Sequence, residues 1–242
     1  MEIKPETIAK SNEIKKLLNE YEKFSSVIPE AFLDRPPYLL DLTINNSELA
    51  VLDMNNQDEF EKYIDELISK SGSRYAIGGY GEDRVIYKRS GLFENSTESR
   101  TIHLGTDVWM PANTPVYSPL PARVHSFQDN NNFGDYGPTI ILEHSLQDKV
   151  FYTLYGHLSR TSLTGLKEGM NIEAGQQVAT LGEYSENGNW PAHLHFQIIT
   201  DMLGRKGDFP GVVRIDNKEY FMILCPDPEL ILRTPQNQLS SP

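Results

Sequence analysis

The spacing of apolar residues predicts helices near the start of the chain. Over residues 4–24, apolar side chains recur at roughly helical intervals between Lys and Glu residues, and prolines then interrupt the pattern. A second helix is predicted by a stripe of four apolar side chains, namely Phe60, Tyr63, Ile64 and Leu67. Gly72 follows this stripe as a candidate C-cap. We therefore predict a small α-rich N-terminal extension over residues 1–72.

From about residue 74 onward the pattern changes to short runs rich in Val, Ile, Tyr and Phe. Clusters of Gly, Pro, Asn and Asp separate these runs, which include ARVHSF, PTIILEH and KVFYTLYGHL. Many short strands between turn signals are typical of an antiparallel sandwich or barrel. We predict a mainly β domain over residues 73–233 and a flexible tail over residues 234–242.

Composition narrows the class of protein. The 242 residues carry 34 acidic and 22 basic side chains, for a net charge of −12, and 38% of them are apolar. The apolar content is sufficient for a folded core, and the negative charge excludes a nucleic-acid partner, because phosphate backbones are bound mainly through Lys and Arg. The single cysteine, Cys225, excludes an internal disulfide and a zinc site built from cysteines.

The N-terminal sequence bears on location. The first twenty residues carry charges throughout and lack the apolar run of about 7–15 residues that a secretory signal needs. No stretch approaches the roughly 18 apolar residues of a membrane span. We therefore expect a cytoplasmic protein with no membrane span. If Met1 is not the natural start of the chain, a periplasmic or extracellular location is expected instead.

Five polar residues form motifs that are typical of a metal site. His103 and Asp107 make H-x-x-x-D, His157 follows a Tyr-rich strand, and His193 and His195 make H-x-H. Residues two apart on a strand share a face and lie about 6.5–7 Å apart along the backbone. Both imidazoles could therefore bind one ion, or one could bind it while the other faces the open coordination position of the ion. Imidazoles and a carboxylate without a thiolate favour a catalytic zinc site over a closed structural one. The spacing does not decide which histidine of H-x-H is the ligand.

The order of these motifs, HLGTD, YGHLS and HLHFQ, resembles the lysostaphin-type zinc metallopeptidases, the glycyl-glycine endopeptidase family. The resemblance runs from about residue 100 to residue 199 and includes the runs TPVYSPLPARV and LKEGMNIEAGQQVATLGE. It implies an antiparallel β-sandwich or barrel-sandwich hybrid of the lysostaphin-like type. It also implies one Zn²⁺ per chain and a peptide or peptidoglycan substrate. The oligomeric state is not predicted.

The resemblance also implies a role for each motif residue. His103, Asp107 and His195 would bind zinc, with a water in the fourth position, and His157 and His193 would be catalytic histidines on the open side of the ion. The chain has no H-E-x-x-H motif, so another group must accept the proton of the attacking water. A histidine with a pKa near 6.5 matches a water whose pKa zinc lowers toward about 7. Which of the two histidines is the base stays open.

Three functions are compatible with these residues. The first is a zinc-dependent endopeptidase that cleaves peptidoglycan cross-links or stem peptides. The second is a cytosolic zinc hydrolase that acts on a small peptide or amide metabolite. The third is a peptidase-like binding module without turnover, against which the complete set of five polar residues argues. The negative charge and the missing signal favour the second function, and the frequency of wall-cleaving members in the family favours the first.

Several further residues receive structural interpretations. We expect His125 and His144 to form hydrogen bonds at strand ends, Cys225 to be buried, and Tyr155 and Trp190 to be walls of the cleft. The glycine-rich run GGYGEDR lacks the spacing of a phosphate loop and is interpreted as a turn into a strand over RVIYK. The alternative is a loop that contacts substrate, with Tyr80, Glu82 or Arg84 facing the cleft.

Overall fold

A computed structural model describes residues 3–84, 86–89 and 100–235. The α-helices are α1 (Pro5–Glu20), α2 (Gln57–Ser71), α3 (Lys218–Leu224) and α4 (Glu229–Leu232). Short 3₁₀ helices cover Glu30–Phe32, Ser47–Ala50, Ile86–Arg89, Arg160–Leu163 and Ile215–Asn217. Within the described part of the chain, every helix is too short or too polar to cross a membrane.

The fold is centred on β-sheet. The strands are β1 (Tyr38–Leu40), β2 (Ala76–Gly78), β3 (Ile102–His103), β4 (Thr106–Trp109), β5 (Pro115–Tyr117), β6 (Ala122–Asn130), β7 (Gly137–Leu146), β8 (Lys149–Gly156), β9 (Asn171–Ile172), β10 (Gln177–Thr180), β11 (His193–Ile199) and β12 (Val212–Val213). An eight-stranded sheet has the order β1-β2-β4-β11-β8-β7-β6-β9, and β10-β5 and β12-β3 form two-stranded sheets. All these pairings are antiparallel except β1 with β2, which is parallel. The predicted mainly β fold class is confirmed.

The long hairpin β7–β8 shows how sequence determines register in this sheet. Gln147 and Asp148 connect the strands and have φ angles of 47° and 63°. Two consecutive residues with positive φ are typical of a type I′ turn, whose twist matches that of the flanking strands. Leu146 therefore pairs with Lys149, and the register continues to Ile140 opposite Tyr155. This register brings the end of β8 to the middle of the main sheet.

The N-terminal residues pack closely against the β-rich part. Helix α2 begins after Asn56, whose side chain accepts a hydrogen bond from the Glu59 amide, and it ends at Gly72, which has a φ of 74°. The predicted C-cap is therefore confirmed. Strand β1 extends the main sheet through β2, and α1 contacts α3 and α4. The boundary after residue 72 stays a prediction, and most of the predicted tail lies outside the described residues.

The prediction of a strand over RVIYK is wrong. Residues Ile86–Arg89 form a 3₁₀ helix. Ile86 and Tyr87 are adjacent and both buried, whereas a strand would direct consecutive side chains to opposite faces.

Candidate metal centre

Strand β11 carries the H-x-H motif through the centre of the main sheet. It lies between β4 and β8, so that His195 stands directly opposite Asp107 on one side and Gly156 on the other. His193 stands opposite Trp109. Directly opposed and alternate residues share a face of the sheet, so the register alone brings both histidines to the side that carries Asp107.

His103 reaches the same point from the separate strand β3. The chain bends between β3 and β4 at Gly105, where an added Cβ would lie 2.6 Å from ring atoms of His195. Glycine is therefore needed for the close approach of the His195 ring. The sequence contains this signal in HLGTD, although the sequence reasoning did not use it.

Three candidate ligand atoms converge. His103 Nε2 lies 3.0 Å from His195 Nδ1, His195 Nδ1 lies 3.0 Å from Asp107 Oδ1, and His103 Nε2 lies 3.2 Å from the same oxygen. In a tetrahedral zinc site with bonds of about 2.0–2.1 Å, the ligand atoms lie about 3.4 Å apart. The triangle therefore has nearly the size that a zinc ion requires, with all three residues buried.

In the neutral imidazoles, the outer hydrogen bonds place the ring proton on the outward nitrogen, so the inward nitrogen carries the lone pair. His103 Nδ1–H donates to the Gly79 carbonyl at 3.0 Å, and His195 Nε2–H donates to Gln197 Oε1 at 2.9 Å. The amide group of Gln197 donates to the Pro210 carbonyl and to Cys225 Sγ, which determines its orientation. Three lone pairs thus face one another, an arrangement that a divalent cation stabilises. The donor set fits Zn²⁺.

Arg84 neutralises the other side of the carboxylate. Its guanidinium is fully buried and donates from Nη1 to Asp107 Oδ2. Burial would raise the pKa of Asp107, but the adjacent His103 and Arg84 outweigh burial and hold this pKa well below its usual value. Burial, together with the charge of Arg84, lowers the pKa of His103 to about 4. Both groups therefore favour their metal-binding protonation states at neutral pH.

His157 and His193 lie side by side next to the three donors. Their ring centroids are 4.2 Å apart, and His193 Nε2 is 3.9 Å from Asp107 Oδ2. The Nδ1–H groups donate to the carbonyls of Asn187 and Pro191, each at 2.7 Å, so Nε2 of each ring carries a lone pair. Burial lowers the pKa of His193 to about 4 and that of His157 well below its usual value.

The backbone of His157 is held in the left-handed region, with a φ of 62°. This conformation is uncommon for a residue other than glycine. Backbone hydrogen bonds from the His157 amide to the Tyr136 carbonyl and from the Gly182 amide to the His157 carbonyl maintain it. The chain thus leaves β8 abruptly after Gly156 and directs the imidazole toward His193.

Aromatic side chains surround the two histidines. His193 stacks on Trp109 at 4.1 Å with an interplanar angle of 20°, and Phe60 of α2 packs against the far side of the same indole. Trp190 approaches both imidazoles edge-on, as expected for a cleft wall. The predicted wall role of Tyr155 is wrong, because this side chain is buried in the core against Phe196. Tyr155 and His157 would share a face if β8 continued as a regular strand. The strand ends at Gly156, so Tyr155 lies in the core while His157 lies at the cavity.

Four of the five motif residues, Asp107, His157, His193 and His195, help to line a cavity of about 340 Å³. Its walls include Tyr87, Tyr136, Trp190, Phe209 and Val212. Charged side chains also contribute to the lining, namely Arg100, Asp135, Arg205 and Asp208. The cavity therefore offers space and mixed charge beside the candidate metal centre.

The remaining interpreted residues lie outside this cluster or behind it. His144 is buried between the Pro121 carbonyl and Thr153, and half-buried His125 contacts Ser126 and Tyr152. Cys225 is buried, and burial raises the pKa of its thiol to about 12.

Sequence reasoning missed two residues of the centre. Gln197 could have been found, because it is two residues after His195 and therefore shares its face of β11. Tyr136, whose hydroxyl lies 3.4 Å from His195 Nε2, comes from a polar loop without a distinctive signal.

Part of the chain is similar to known peptidases. Residues 101–207 match peptidase family M23. Peptidoglycan DD-endopeptidase ShyA of Vibrio cholerae serotype O1 is 26% identical over 131 residues, which are 53% of this chain and 28% of the relative. The chain thus spans less than a third of that relative's length.

Two solved structures illustrate the likeness. A zinc-containing peptidase from Vibrio cholerae is 26% identical, with a TM-score of 0.36, over 50% of this chain and 31% of that one. The catalytic domain of lysostaphin from Staphylococcus simulans is 22% identical, with a TM-score of 0.39, over 66% of this chain and 96% of that one. The matched segment includes His103, Asp107, His157, His193 and His195. All five motif residues therefore lie within the segment that matches peptidase family M23.

Proposed function

We propose that this chain is a zinc-dependent endopeptidase that hydrolyses peptide bonds in peptidoglycan cross-links or stem peptides. The observation that carries the proposal is the convergence of three unprotonated donor atoms beside two histidines whose Nε2 lone pairs adjoin a cavity. The match of residues 101–207 to peptidase family M23 supports the reaction class. The peptidoglycan substrate is suggested by the relative ShyA, which is a peptidoglycan DD-endopeptidase. Such a substrate would require action in the periplasm or outside the cell.

In this proposal His103, Asp107 and His195 hold one Zn²⁺. When bound, the ion supplies a Lewis acid that polarises a peptide carbonyl and lowers the pKa of a coordinated water. The register of β4 and β11 places Asp107 opposite His195, and β3 supplies His103. The carbonyl of Gly79 and the side chain of Gln197 fix the two imidazole tautomers. The ligands are thus organised before the ion arrives.

His157 and His193 move the protons. Each ring donates Nδ1–H to a backbone carbonyl, so each can accept a proton only at Nε2, on the side of the cavity. One ring takes the proton of the attacking water. That ring then passes the same proton from Nε2 to the leaving amine, and the other ring, once protonated at Nε2 from solvent, would donate a hydrogen bond to the developing oxyanion. Stacking on Trp109 restricts the rotation of His193, which keeps this Nε2 directed at the reacting atoms.

A second candidate is hydrolysis of a small peptide or amide metabolite. The size of the cavity, about 340 Å³, and its lining by both arginine and aspartate side chains favour a short zwitterionic substrate. The net charge of −12 also gives no electrostatic attraction toward an anionic wall polymer. The catalytic groups would be the same in both cases.

Metal analysis combined with two substrate classes separates these functions. Purified protein is analysed for bound zinc and incubated with purified peptidoglycan and, separately, with short peptides that contain Gly or D-Ala. We expect one zinc per chain and release of wall fragments. Cleavage of the short peptides without wall release would favour the second candidate. Protein that binds no zinc after metal reconstitution would contradict both.

Three variants test the residue roles. We expect His195→Ala to lose zinc and turnover, whereas His193→Ala keeps zinc and loses turnover. His125→Ala is the matched control, because this half-buried histidine lies outside the centre, and it should retain both properties. Equal loss of zinc from His193→Ala and His195→Ala would contradict the assignment of ligand and catalytic histidine.

A further inference from the structure

The glycine-rich run at residues 78–84 is joined to the strand that supplies a candidate metal ligand. The His103 amide donates to the Glu82 carbonyl at 2.9 Å, and the Gly81 amide donates to the His103 carbonyl at 2.8 Å. The Arg84 amide donates to the Thr101 carbonyl at 2.9 Å. These backbone hydrogen bonds hold the run directly against the strand that carries His103.

The guanidinium of Arg84 is held from several directions. Besides Asp107 Oδ2, it donates to Glu82 Oε2 at 2.9 Å, to the Tyr87 hydroxyl at 3.2 Å and to the Gly79 carbonyl at 3.2 Å. The last of these acceptors is also the acceptor for His103 Nδ1. One buried arginine therefore connects the environments of two of the three candidate ligands.

The two glycines at the start of the run make room for this ion pair. An added Cβ at Gly78 would lie 2.6 Å from Arg84 Nη2, and one at Gly79 would lie 2.7 Å from Glu82 Oε1. Any larger residue at position 78 would therefore displace the guanidinium or the backbone. The composition of the run GGYGEDR is thus explained by a buried arginine rather than by a loop that contacts substrate.

The two oxygens of Asp107 face different partners. Oδ1 faces the ring nitrogens of His103 and His195, whereas Oδ2 accepts from Arg84 and lies 3.9 Å from His193 Nε2. A carboxylate can bind a metal through one oxygen or through both, and the number of oxygens used changes how many positions remain for water and substrate.

We propose that Arg84 is a positioning residue that holds Asp107 Oδ2 and so makes Asp107 a ligand through Oδ1 alone. This inference rests on the metal site of the proposed function. Without the guanidinium, Oδ2 would be a buried charged oxygen without its donor, and chelation of the ion by both oxygens would satisfy it. The coordination number would rise, and the position needed for substrate would be occupied.

Cobalt(II) makes this change visible, because four-coordinate Co²⁺ absorbs visible light more strongly than five- or six-coordinate Co²⁺. Wild type, Arg84→Met and Arg84→Lys are loaded with Co²⁺, and metal content is measured beside the spectrum. We expect Arg84→Met to retain one Co²⁺ per chain with clearly weakened visible absorption and a loss of turnover of about 10–100-fold. Arg84→Lys, which keeps one donor to Oδ2, should recover part of the wild-type spectrum.

Two further variants keep the inference testable if Arg84→Met does not fold. Gly78→Ala leaves Arg84 in the sequence but displaces its guanidinium, and it should weaken the Co²⁺ absorption in the same direction. Arg160→Met removes an exposed arginine that pairs with Asp129, and its spectrum should match wild type.

The other outcomes of these experiments would overturn either this inference or the proposed function. If Arg84→Met folds, an unchanged Co²⁺ spectrum or complete loss of Co²⁺ would overturn the inference. If Arg84→Met does not fold, an unchanged spectrum in Gly78→Ala would overturn it. Wild-type protein that binds neither Zn²⁺ nor Co²⁺ would instead reject the proposed function itself.

Discussion

The buried side chain of His144 makes the free energy of unfolding depend on pH, and its surroundings determine the size of the effect. Its side chain is 1% exposed, stacks on Phe151, donates from Nδ1 to the Pro121 carbonyl and accepts at Nε2 from the Thr153 hydroxyl. A proton at Nε2 would replace this acceptor with a donor in a buried site. Burial accordingly lowers the pKa of His144 from 6.5 to about 4.

The sign and size of the effect follow from linkage. Between pH 6.5 and pH 4 the unfolded chain binds the proton more readily than the folded one, so the free energy of unfolding falls as the pH falls through this range. The contribution is fully present above pH 6.5 and is lost by about pH 4. Each tenfold difference in proton affinity is worth about 1.4 kcal/mol, so the total is about 3 kcal/mol.

Replacement by a side chain that does not titrate isolates this contribution. His144→Gln keeps a donor and an acceptor, and urea unfolding of metal-free protein at pH 7, 6, 5 and 4 gives the free energy of unfolding for variant and wild type. The other buried histidines affect both proteins equally. We expect the variant to be the less stable protein at pH 7 and the difference to shrink by about 3 kcal/mol at pH 4. Parallel pH profiles for the two proteins would refute the reasoning.

Three further substitutions test contacts around the centre. Gln197→Met removes the acceptor for His195 Nε2–H and should lower the zinc affinity about 10–100-fold, measured by competition with a chromophoric chelator. An unchanged zinc affinity would contradict the role of the Gln197 amide. Gly105→Ala places a Cβ 2.6 Å from the His195 ring and should also weaken zinc binding, while normal binding would show that the bend can relax. Phe60→Ala removes a fully buried ring that packs on Trp109 and should lower the free energy of unfolding by about 3–5 kcal/mol in urea, and a loss below about 1 kcal/mol would contradict this packing.

The sequence predicts the five motif residues of the candidate metal centre better than it predicts the residues packed around them. The H-x-x-x-D and H-x-H motifs lie on strands whose alternation is visible locally, and the structure brings the five motif residues together. Arg84 lies far upstream in a run that local patterns describe only as a turn, and its contact with Asp107 depends on how that run packs over β3. The same packing buries Ile86 and Tyr87 together, which overrides the β propensity of RVIYK.

The separation of the ligands along the chain has a consequence for folding kinetics. His103 and His195 are 92 residues apart, and Asp107 and His195 are 88 residues apart. Closing loops of this length costs chain entropy before any contact compensates for it, and β11 can join β4 and β8 only after both are formed. For the zinc site of the proposed function, we therefore expect high-affinity metal capture to be a late event in folding. The rate at which refolding chains acquire the ion would then report on the completion of the central sheet.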